Sequence, residues 1–314
     1  MAVIISGSLA YDTVFEHRGR FADSLLPDEL DRLNLTFQAE SMRRTFGGCA
    51  GNIAYSLKQL GGDPLIWTAV GGDAGAILEH LRAQQMRTDG ITVISSTFSA
   101  QAIITTDTNG CQLTTFYSGA MDYAHQIPFP EFAPVTLGIL APTTHEPLLA
   151  HAALFRKHHV PYLLDTGQTT PLFSGEELLS LAREALAVCF SEYEAGLYRE
   201  KTGCTPQELS RLDCTVFCTA GARGSTVYEK GVASVVEAAP AQETDPVGAG
   251  DAYRGGILRA LELGLPSVVA ARMGSLVAAR KVSVAGPHYC YSFDELCRDY
   301  ETVYGETLTP EPAA

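Results

Sequence analysis

The sequence has few of the basic residues that a surface for nucleic acid or anionic lipid needs. Lysine and arginine number 22 against 36 aspartates and glutamates, and the formal net charge is −14. We therefore expect neither a nucleic-acid nor a membrane partner. No apolar run reaches membrane-helix length, and MAVIISGSLAYD at the N-terminus lacks the basic segment of a signal peptide. These absences predict a soluble, cytoplasmic protein.

Cysteine pairs of the kinds used in redox motifs and zinc sites are also missing. The eight cysteines include no CxxC pair. They are scattered through apolar runs such as CTVFCTAG, which favours small buried side chains in a reducing compartment. We therefore expect free, buried thiols.

Several signatures of large enzyme classes are absent as well. The sequence has no GxxxxGK[ST], which excludes a P-loop enzyme, and neither HRD nor DFG, which excludes a protein kinase. No GxGxxG follows a strand, which argues against a nucleotide-dependent oxidoreductase, and neither GxSxG nor HExxH occurs. The chemistry must therefore lie in other motifs.

What the sequence does contain is a regular alternation of short apolar runs and helix-length amphipathic segments. The runs are AVIISGS, PLIWTAV, TLGILAP, PYLLDT, LAVCFSE and CTVFCTAG. The helices are predicted near 50–60, 74–86, 146–158, 176–186, 192–201, 250–263, 267–284 and 292–303. Strands buried on both faces that alternate with helices predict a mostly parallel sheet between two helical layers.

Two regions interrupt this alternation. Residues 11–46 are polar and aromatic, and residues 98–118 alternate around Asn109-Gly110, a strong hairpin signal. We predict that both regions form a small β lid. The α/β core then comprises residues 1–10, 47–97 and 119–314.

The segment TDPVGAGD at 244–251 raises the main chemical question, because its glycines stand directly before a predicted helix. Free amides and the helix dipole at such a start can bind an anion, and glycine lets a phosphate approach the backbone. Asp251 then places a carboxylate beside the phosphate, where it can accept a proton from an attacking hydroxyl. The alternative is an ordinary helix-start aspartate after a tight turn.

Four further features carry weaker signals, each with a structural alternative. In GGCAGN, Asn52 can bind a polyol or serve only in packing. Asp12, after the first strand, can bind a ligand or cap a turn. In SEYE, Glu194 can orient water on Mg²⁺ or only complement a helix dipole. The CTAGARG segment suits either a nucleotide-binding backbone or a hairpin turn, through Thr219, Gly221 and Gly224.

Taken in this order, GGCAGN, SEYE, TAGARG and DPVGAGDAYRGG resemble the ribokinase-like (phosphofructokinase-B) family of carbohydrate and nucleoside kinases. The resemblance runs from the first strand to about residue 285. It implies an α/β/α sandwich with a small β lid, ATP as phosphate donor, Mg²⁺ as helper and stimulation by a monovalent cation such as K⁺.

The resemblance also implies roles for individual residues. Asp251 matches the catalytic base, and the amides of Gly248, Ala249 and Gly250 match the anion hole. The substrate-binding positions are Ser8, Asp12, Gly48, Cys49 and Asn52, and the ATP-binding positions are Thr219, Gly221 and Gly224. Glu194 matches a residue that contacts Mg²⁺ through water. Ser191 and Ser275 depart from the family, which usually has asparagine there.

The segments ITTDTNGCQLTTFYSGAM and DTGQTTPLFSGEEL most resemble bacterial adenosine or nucleoside kinases. We therefore predict phosphorylation of the 5′-hydroxyl of a ribonucleoside, with adenosine as the best single substrate. A kinase for ribose or fructose and a non-catalytic ligand-binding protein are the alternatives. Aromatic lid residues can stack on the base or pack within the lid: Phe15, Phe37, Phe116 and Tyr117. Exposed lid edges suggest a homodimer.

Overall fold

The strands coincide largely with the apolar runs and the alternating segments of the sequence. The computed structural model describes residues 1–24, 34–286 and 289–308. Its strands are β1 (Ala2–Ser6), β2 (Ala10–His17), β3 (Ala39–Gly47), β4 (Asp63–Gly71), β5 (Ile91–Ile94), β6 (Ala100–Thr106), β7 (Gln112–Tyr117), β8 (Val135–Leu140), β9 (Tyr162–Leu164), β10 (Ala187–Ser191), β11 (Thr215–Thr219), β12 (Ser225–Glu229) and β13 (Val232–Val236). Every apolar run predicted as a strand overlaps one, whereas β5, β12 and β13 of the main sheet lie outside those runs.

The predicted helices are confirmed, with small shifts of their ends. The described helices are α1 (Phe21–Ser24), α2 (Cys49–Gln59), α3 (Gly75–Ala83), α4 (His145–Lys157), α5 (Gly175–Glu184), α6 (Glu192–Thr202), α7 (Pro206–Leu209), α8 (Ala249–Glu262), α9 (Ser267–Val282) and α10 (Phe293–Tyr304). The one-turn helices α1 and α7 were not predicted. Capping boxes fix several starts, as at Ser292 and Glu295 before α10. Within the described ranges, no helix combines the length and apolar character needed to cross a bilayer.

The main sheet runs in the order β13-β12-β11-β10-β9-β8-β1-β4-β5 among the described residues. Neighbours from β11 to β5 pair in parallel, and β12 and β13 add antiparallel pairs at one edge. One face packs on α2, α8 and α9, for example through Ile53 and Ile257. The other face packs on α4 and α5, for example through Leu148 and Leu178. The predicted α/β/α sandwich is confirmed.

A second sheet, in the order β3-β2-β6-β7, stands outside the first. Strands β6 and β7 pair antiparallel around Asn109-Gly110, which confirms the predicted hairpin. Strand β2 pairs with β3 antiparallel and with β6 in parallel, so the two interrupting regions form one sheet. Its role as a lid stays a prediction. Of the predicted lid region, residues 25–33 lie outside the described residues.

The cysteines are free thiols, but the expectation that they are buried is wrong for several of them. Cys189, Cys214 and Cys218 are buried in or beside the strands of the main sheet. Cys111 and Cys290 are exposed, and the other three are partly buried. The buried cysteines lie in apolar sequence, whereas Cys111 lies beside the Asn109-Gly110 turn. The polarity of the neighbouring sequence therefore predicts the burial of a cysteine better than the residue type alone does.

Candidate active site

The predicted helix start at TDPVGAGD is confirmed. Helix α8 begins at Ala249, and Gly248 caps it with φ 81°, a left-handed conformation that favours glycine. Asp251 lies in the first turn. Of the three amides predicted to bind an anion, that of Ala249 donates to Pro246 O at 3.1 Å. An incoming phosphate must therefore share or replace that hydrogen bond.

The first turns of α2 and α8 meet at a contact between two predicted site residues. Asn52 Nδ2 donates to Asp251 Oδ2 at 2.8 Å, across 199 positions of the sequence. The helices approach this closely because residue 255 is glycine: a Cβ there would lie 2.5 Å from Ser56 Cβ. The pairing confirms neither role, but it places both polar side chains at one point.

The environment of Asp251 makes its carboxyl group more basic than a free one. Burial raises the pKa of Asp251, while the hydrogen bond from Asn52 and the positive charge of Arg254 oppose that rise. A partly buried carboxylate that already accepts one hydrogen bond is oriented and available to take a proton.

The loop after β1 is tied to the start of α2. Cys49 N donates to Ser8 Oγ at 3.1 Å, and Ala50 N donates to Ser8 O at 3.1 Å. Gly48 has φ 98°, and a Cβ on it would lie 2.4 Å from Ser8 O, so only glycine fits. Ser8, Gly48, Cys49 and Asn52 are thus brought together beside Asp251.

Asp12 reaches this region from the second sheet. It lies in β2 opposite Thr45 of β3, and its carboxylate occupies the space that a Cβ on Gly47 would need. Burial raises the pKa of Asp12. Because Gly47 directly precedes Gly48, the Asp12 carboxylate lies next to the start of α2, where the other predicted substrate-binding residues meet.

A cavity of about 400 Å³ opens on the other side of the α8 start. The turn between β11 and β12 lines it through Thr219, Gly221 and Gly224, together with Ala249 and Gly250. The β11–β12 connection is a hairpin, which confirms the turn interpretation of CTAGARG, and this turn is also a wall of the cavity. Nucleotide binding by the turn stays a prediction. The opposite wall is mostly apolar and contains Tyr253, Ala278, Ala279 and Val282.

Ser275, which departs from the family pattern, also lines this cavity. Its Oγ accepts a hydrogen bond from Ala239 N at 2.8 Å. The hydroxyl therefore fixes the segment after β13 against α9.

A second cavity, of about 420 Å³, adjoins the first and shares Thr219, Gly221 and Gly250 with it. Its other walls include the charged side chains of Glu194 and Arg254, whose Oε2 and Nη2 atoms lie 4.0 Å apart. One continuous depression therefore has an apolar end and a charged end. This division suits a nucleotide, whose base is flat and apolar and whose phosphates are anionic.

Glu194 is held at the charged end by a capping box. Its Oε2 accepts hydrogen bonds from Ser191 N at 2.7 Å and Ser191 Oγ at 2.9 Å, while Glu194 N donates back to Ser191 Oγ. Serine at 191 is therefore a good helix cap in its own right. The carboxylate is fixed where the cavity begins, which fits a residue that holds Mg²⁺ through water.

Arg254 is a functional candidate that the sequence patterns did not indicate. Its guanidinium forms an ion pair with Asp165 and donates from Nη2 to Asp165 Oδ1 at 3.0 Å and from Nη1 to Gly250 O at 3.1 Å. Nη2 also lies 4.0 Å from Glu194 Oε2. The sequence signal that could have indicated it is an arginine within the otherwise apolar stretch AYRGGIL, one turn after Asp251.

Known proteins resemble this chain over most of its length. The family model described as pfkB family carbohydrate kinase matches residues 20–293. The structure of Burkholderia thailandensis nucleoside kinase in complex with inosine is 35% identical, covers 97% of this chain and 99% of its own, and superposes with a TM-score of 0.85.

Two other relatives are more distant. A nucleoside kinase from Methanothermobacter thermautotrophicus is 26% identical over 261 residues, which is 80% of this chain and 83% of the relative. The ribokinase of Thermotoga maritima is 17% identical, covers 96% of this chain and 99% of its own, and has a TM-score of 0.79. The last likeness concerns the fold, and it agrees with the sandwich described above.

Proposed function

Because this chain belongs to the pfkB family of carbohydrate kinases, we propose that it transfers the γ-phosphate of ATP to the 5′-hydroxyl of a ribonucleoside. One structural observation carries the proposal: Asn52 holds the Asp251 carboxylate at 2.8 Å, at the helix start that also borders the nucleotide-sized cavity. The likeness to a nucleoside kinase in complex with inosine supports a purine nucleoside as acceptor. Adenosine as preferred substrate stays a prediction.

In the proposed reaction, Asp251 accepts the proton of the 5′-hydroxyl as its oxygen attacks the γ-phosphorus. The bond between this phosphorus and the oxygen bridging to the β-phosphate breaks, and ADP leaves. The amides at 248–250 and the positive end of α8 stabilise the charge on the transferred group. The raised pKa of Asp251 suits this role, because a more basic carboxylate takes the proton more readily.

The acceptor is proposed to lie between the first turn of α2 and the second sheet. Ser8, Asp12 and Asn52 would hold the ribose hydroxyls, and Gly48 and Cys49 would line the same side. The second sheet would close as a lid and keep water from the γ-phosphate. Among its aromatic residues, Phe37 packs on His17 and Phe21 and therefore favours the packing interpretation. Phe116 is 55% exposed and remains available for stacking.

The donor is proposed to lie along the two cavities, with its base against the apolar wall and its phosphates at the charged end. Mg²⁺ usually keeps several of its waters, so it would need few protein ligands here. Glu194 is the residue we assign to it, through water. The ion would neutralise developing charge on the phosphates.

Two further proposals concern the cellular location and the oligomeric state of the protein. The eight cysteines are free thiols, which supports a reducing, cytoplasmic location. In the second sheet, β3 and β7 are edge strands, and exposed side chains there include Met42 and Leu113. Such edges can pair between subunits, so a homodimer through the lid stays a prediction.

A substrate panel tests the function directly. Purified protein with ATP and Mg²⁺ is offered adenosine, inosine, ribose or fructose, and products are identified by mass spectrometry, with the phosphorylated position assigned by NMR. We expect 5′-phosphorylation of the nucleosides, with kcat/KM highest for adenosine. Transfer to ribose or fructose alone would instead indicate a sugar kinase, and no transfer to any acceptor a binding protein.

The acid limb of the pH–rate profile tests the base assignment. Asn52→Leu removes the hydrogen bond that lowers the pKa of Asp251. The carboxyl then stays protonated to higher pH, and because a general base must be deprotonated, the acid limb of kcat moves to higher pH. Gln59→Leu, on the same helix, is the control and should leave the limb in place. An unmoved limb in Asn52→Leu would contradict the assignment.

A further inference from the structure

Lys281, in the last turn of α9, is a buried charge that the proposed reaction does not use. Its side chain is 1% exposed, less than any other buried charged residue in the described part of the chain. Burial lowers the pKa of Lys281, and the negative charge of Asp245 opposes the change. A buried ammonium persists only where oxygen atoms replace its water.

The oxygens around this ammonium belong to the loop that precedes α8. Lys281 Nζ donates to the main-chain Asp245 O at 2.8 Å and lies 3.7 Å from Asp245 Oδ2. The carboxylate also accepts from Val247 N at 3.0 Å and from Gly286 N at 2.9 Å. The ammonium and the carboxylate together close the loop at 245–247 against the chain that follows α9.

This closed loop leads straight into the proposed anion hole. Asp245 stands three positions before Gly248, and a Cβ on Gly248 would lie 3.7 Å from Lys281 Cε. The lysine side chain therefore lies close to Gly248, the first of the three residues whose amides are proposed to bind the phosphoryl group. It fixes the conformation of the loop and adds positive charge where the transferred group gains negative charge.

A carbonyl oxygen and a carboxylate oxygen around a dehydrated monovalent charge are also the ligands that K⁺ takes in proteins. Family resemblance implies K⁺ stimulation, but here the oxygens of Asp245 are already bound to an ammonium. We propose that Lys281 is a built-in monovalent cation: it positions the anion-hole loop, and phosphoryl transfer by this protein therefore does not depend on K⁺. The predicted effect on phosphoryl transfer rests on the proposed function. The binding of the Lys281 ammonium by the oxygens of Asp245 does not.

The unmodified protein gives the first test. Its kinase rate and melting temperature are compared in choline chloride and in KCl at equal ionic strength. We expect rates that agree within about twofold and melting temperatures that coincide, because only non-specific screening acts. Strong K⁺ stimulation, or a K⁺-specific rise in melting temperature, would overturn the proposal.

Lys281→Met gives the second test, because it removes the ammonium and keeps an apolar side chain of similar length. In choline chloride, kcat should fall about tenfold or more, since the loop loses its cation. Added K⁺ or NH₄⁺ should restore much of the rate and raise the melting temperature of this variant. Arg280→Met is the matched control: it loses the same charge one residue away, from a side chain that bonds Cys290 O, and should show neither effect.

The outcomes separate the two proposals. If no acceptor is phosphorylated, the proposed function fails, yet K⁺-dependent melting of Lys281→Met still supports the cation inference. If the variant folds and neither its rate nor its melting temperature responds to K⁺ or NH₄⁺, Lys281 is only a structural residue and the inference is wrong. If the variant does not fold, the salt comparison on the unmodified protein decides.

Discussion

Asp251→Asn is expected to lower kcat by about 10²- to 10⁴-fold, the usual contribution of a positioned general base. The amide has nearly the shape of the carboxylate, so Asn52 can still donate to the oxygen at this position. Binding of ATP and nucleoside should therefore persist, and KM should change little. Steady-state kinetics measures the fall in kcat, and calorimetry measures whether ATP and nucleoside still bind with the same affinity.

Asp294→Asn is a suitable control for this experiment. Asp294 also lies in the first turn of a helix, α10, where its side chain is exposed. The control thus makes the same change and removes only a favourable interaction with a helix dipole. Near-normal turnover in Asp251→Asn would show that the carboxylate is not the base. Loss of binding together with turnover would show that it mainly shapes the site.

The parts of this site that the sequence predicted are those set by local backbone requirements. Gly48 and Gly248 both adopt positive φ directly before a helix, and such positions can be inferred from glycine at a helix start. Glu194 follows Ser191 at capping-box spacing, which is also a local signal. These motifs mark the N-terminal ends of helices. The unpaired backbone amides at these ends can bind anions or carboxylates.

The parts that the sequence did not predict depend on contacts between distant segments. Arg254 and Asp165 are 89 positions apart, and Lys281 and Asp245 are 36 apart. Their pairing follows from how α8 and α9 pack on the sheet, and no periodicity within either segment reveals it. One local feature was also not predicted: the hydrogen bond from Ala249 N to Pro246 O depends on the detailed conformation of a single turn.

The two long-range ion pairs also explain how a protein with a large negative net charge can bind a polyphosphate. The protein has 22 basic residues against 36 acidic ones, and its formal net charge is −14. Arg254 and Lys281 instead lie buried close to the start of α8, each beside its own carboxylate. The positive charge is thus local and preorganised. It complements the amides of the helix start, which carry no formal charge.

Arg254→Met is expected to destabilise the fold by roughly 3–5 kcal/mol, because it leaves Asp165 as an unpaired buried charge. Arg254 is 6% exposed and Asp165 is 2% exposed, so water cannot replace the lost partner. Urea unfolding at neutral pH measures the change. Where the protein stays folded, KM for ATP should also rise, because the cavity loses its cation.

The pH dependence of this loss identifies its cause. Burial raises the pKa of Asp165 even beside Arg254, and removing the arginine raises it further. A carboxyl whose pKa is higher in the folded than in the unfolded state favours folding while protonated, and this contribution disappears as pH rises through the folded-state pKa. The difference in unfolding free energy between Arg254→Met and the unmodified protein should therefore become smaller under mildly acidic conditions.

Two controls complete the Arg254 experiment. Arg156→Met breaks the pair with Glu184 on the surface, where Arg156 is 63% exposed, and should cost only about 0–1 kcal/mol. Combining Arg254→Met with Asp165→Leu removes both buried charges and should recover much of the lost stability, although not the affinity for ATP. If the double variant were no more stable than Arg254→Met, the damage would come from lost packing around the long arginine side chain and not from the unpaired carboxylate.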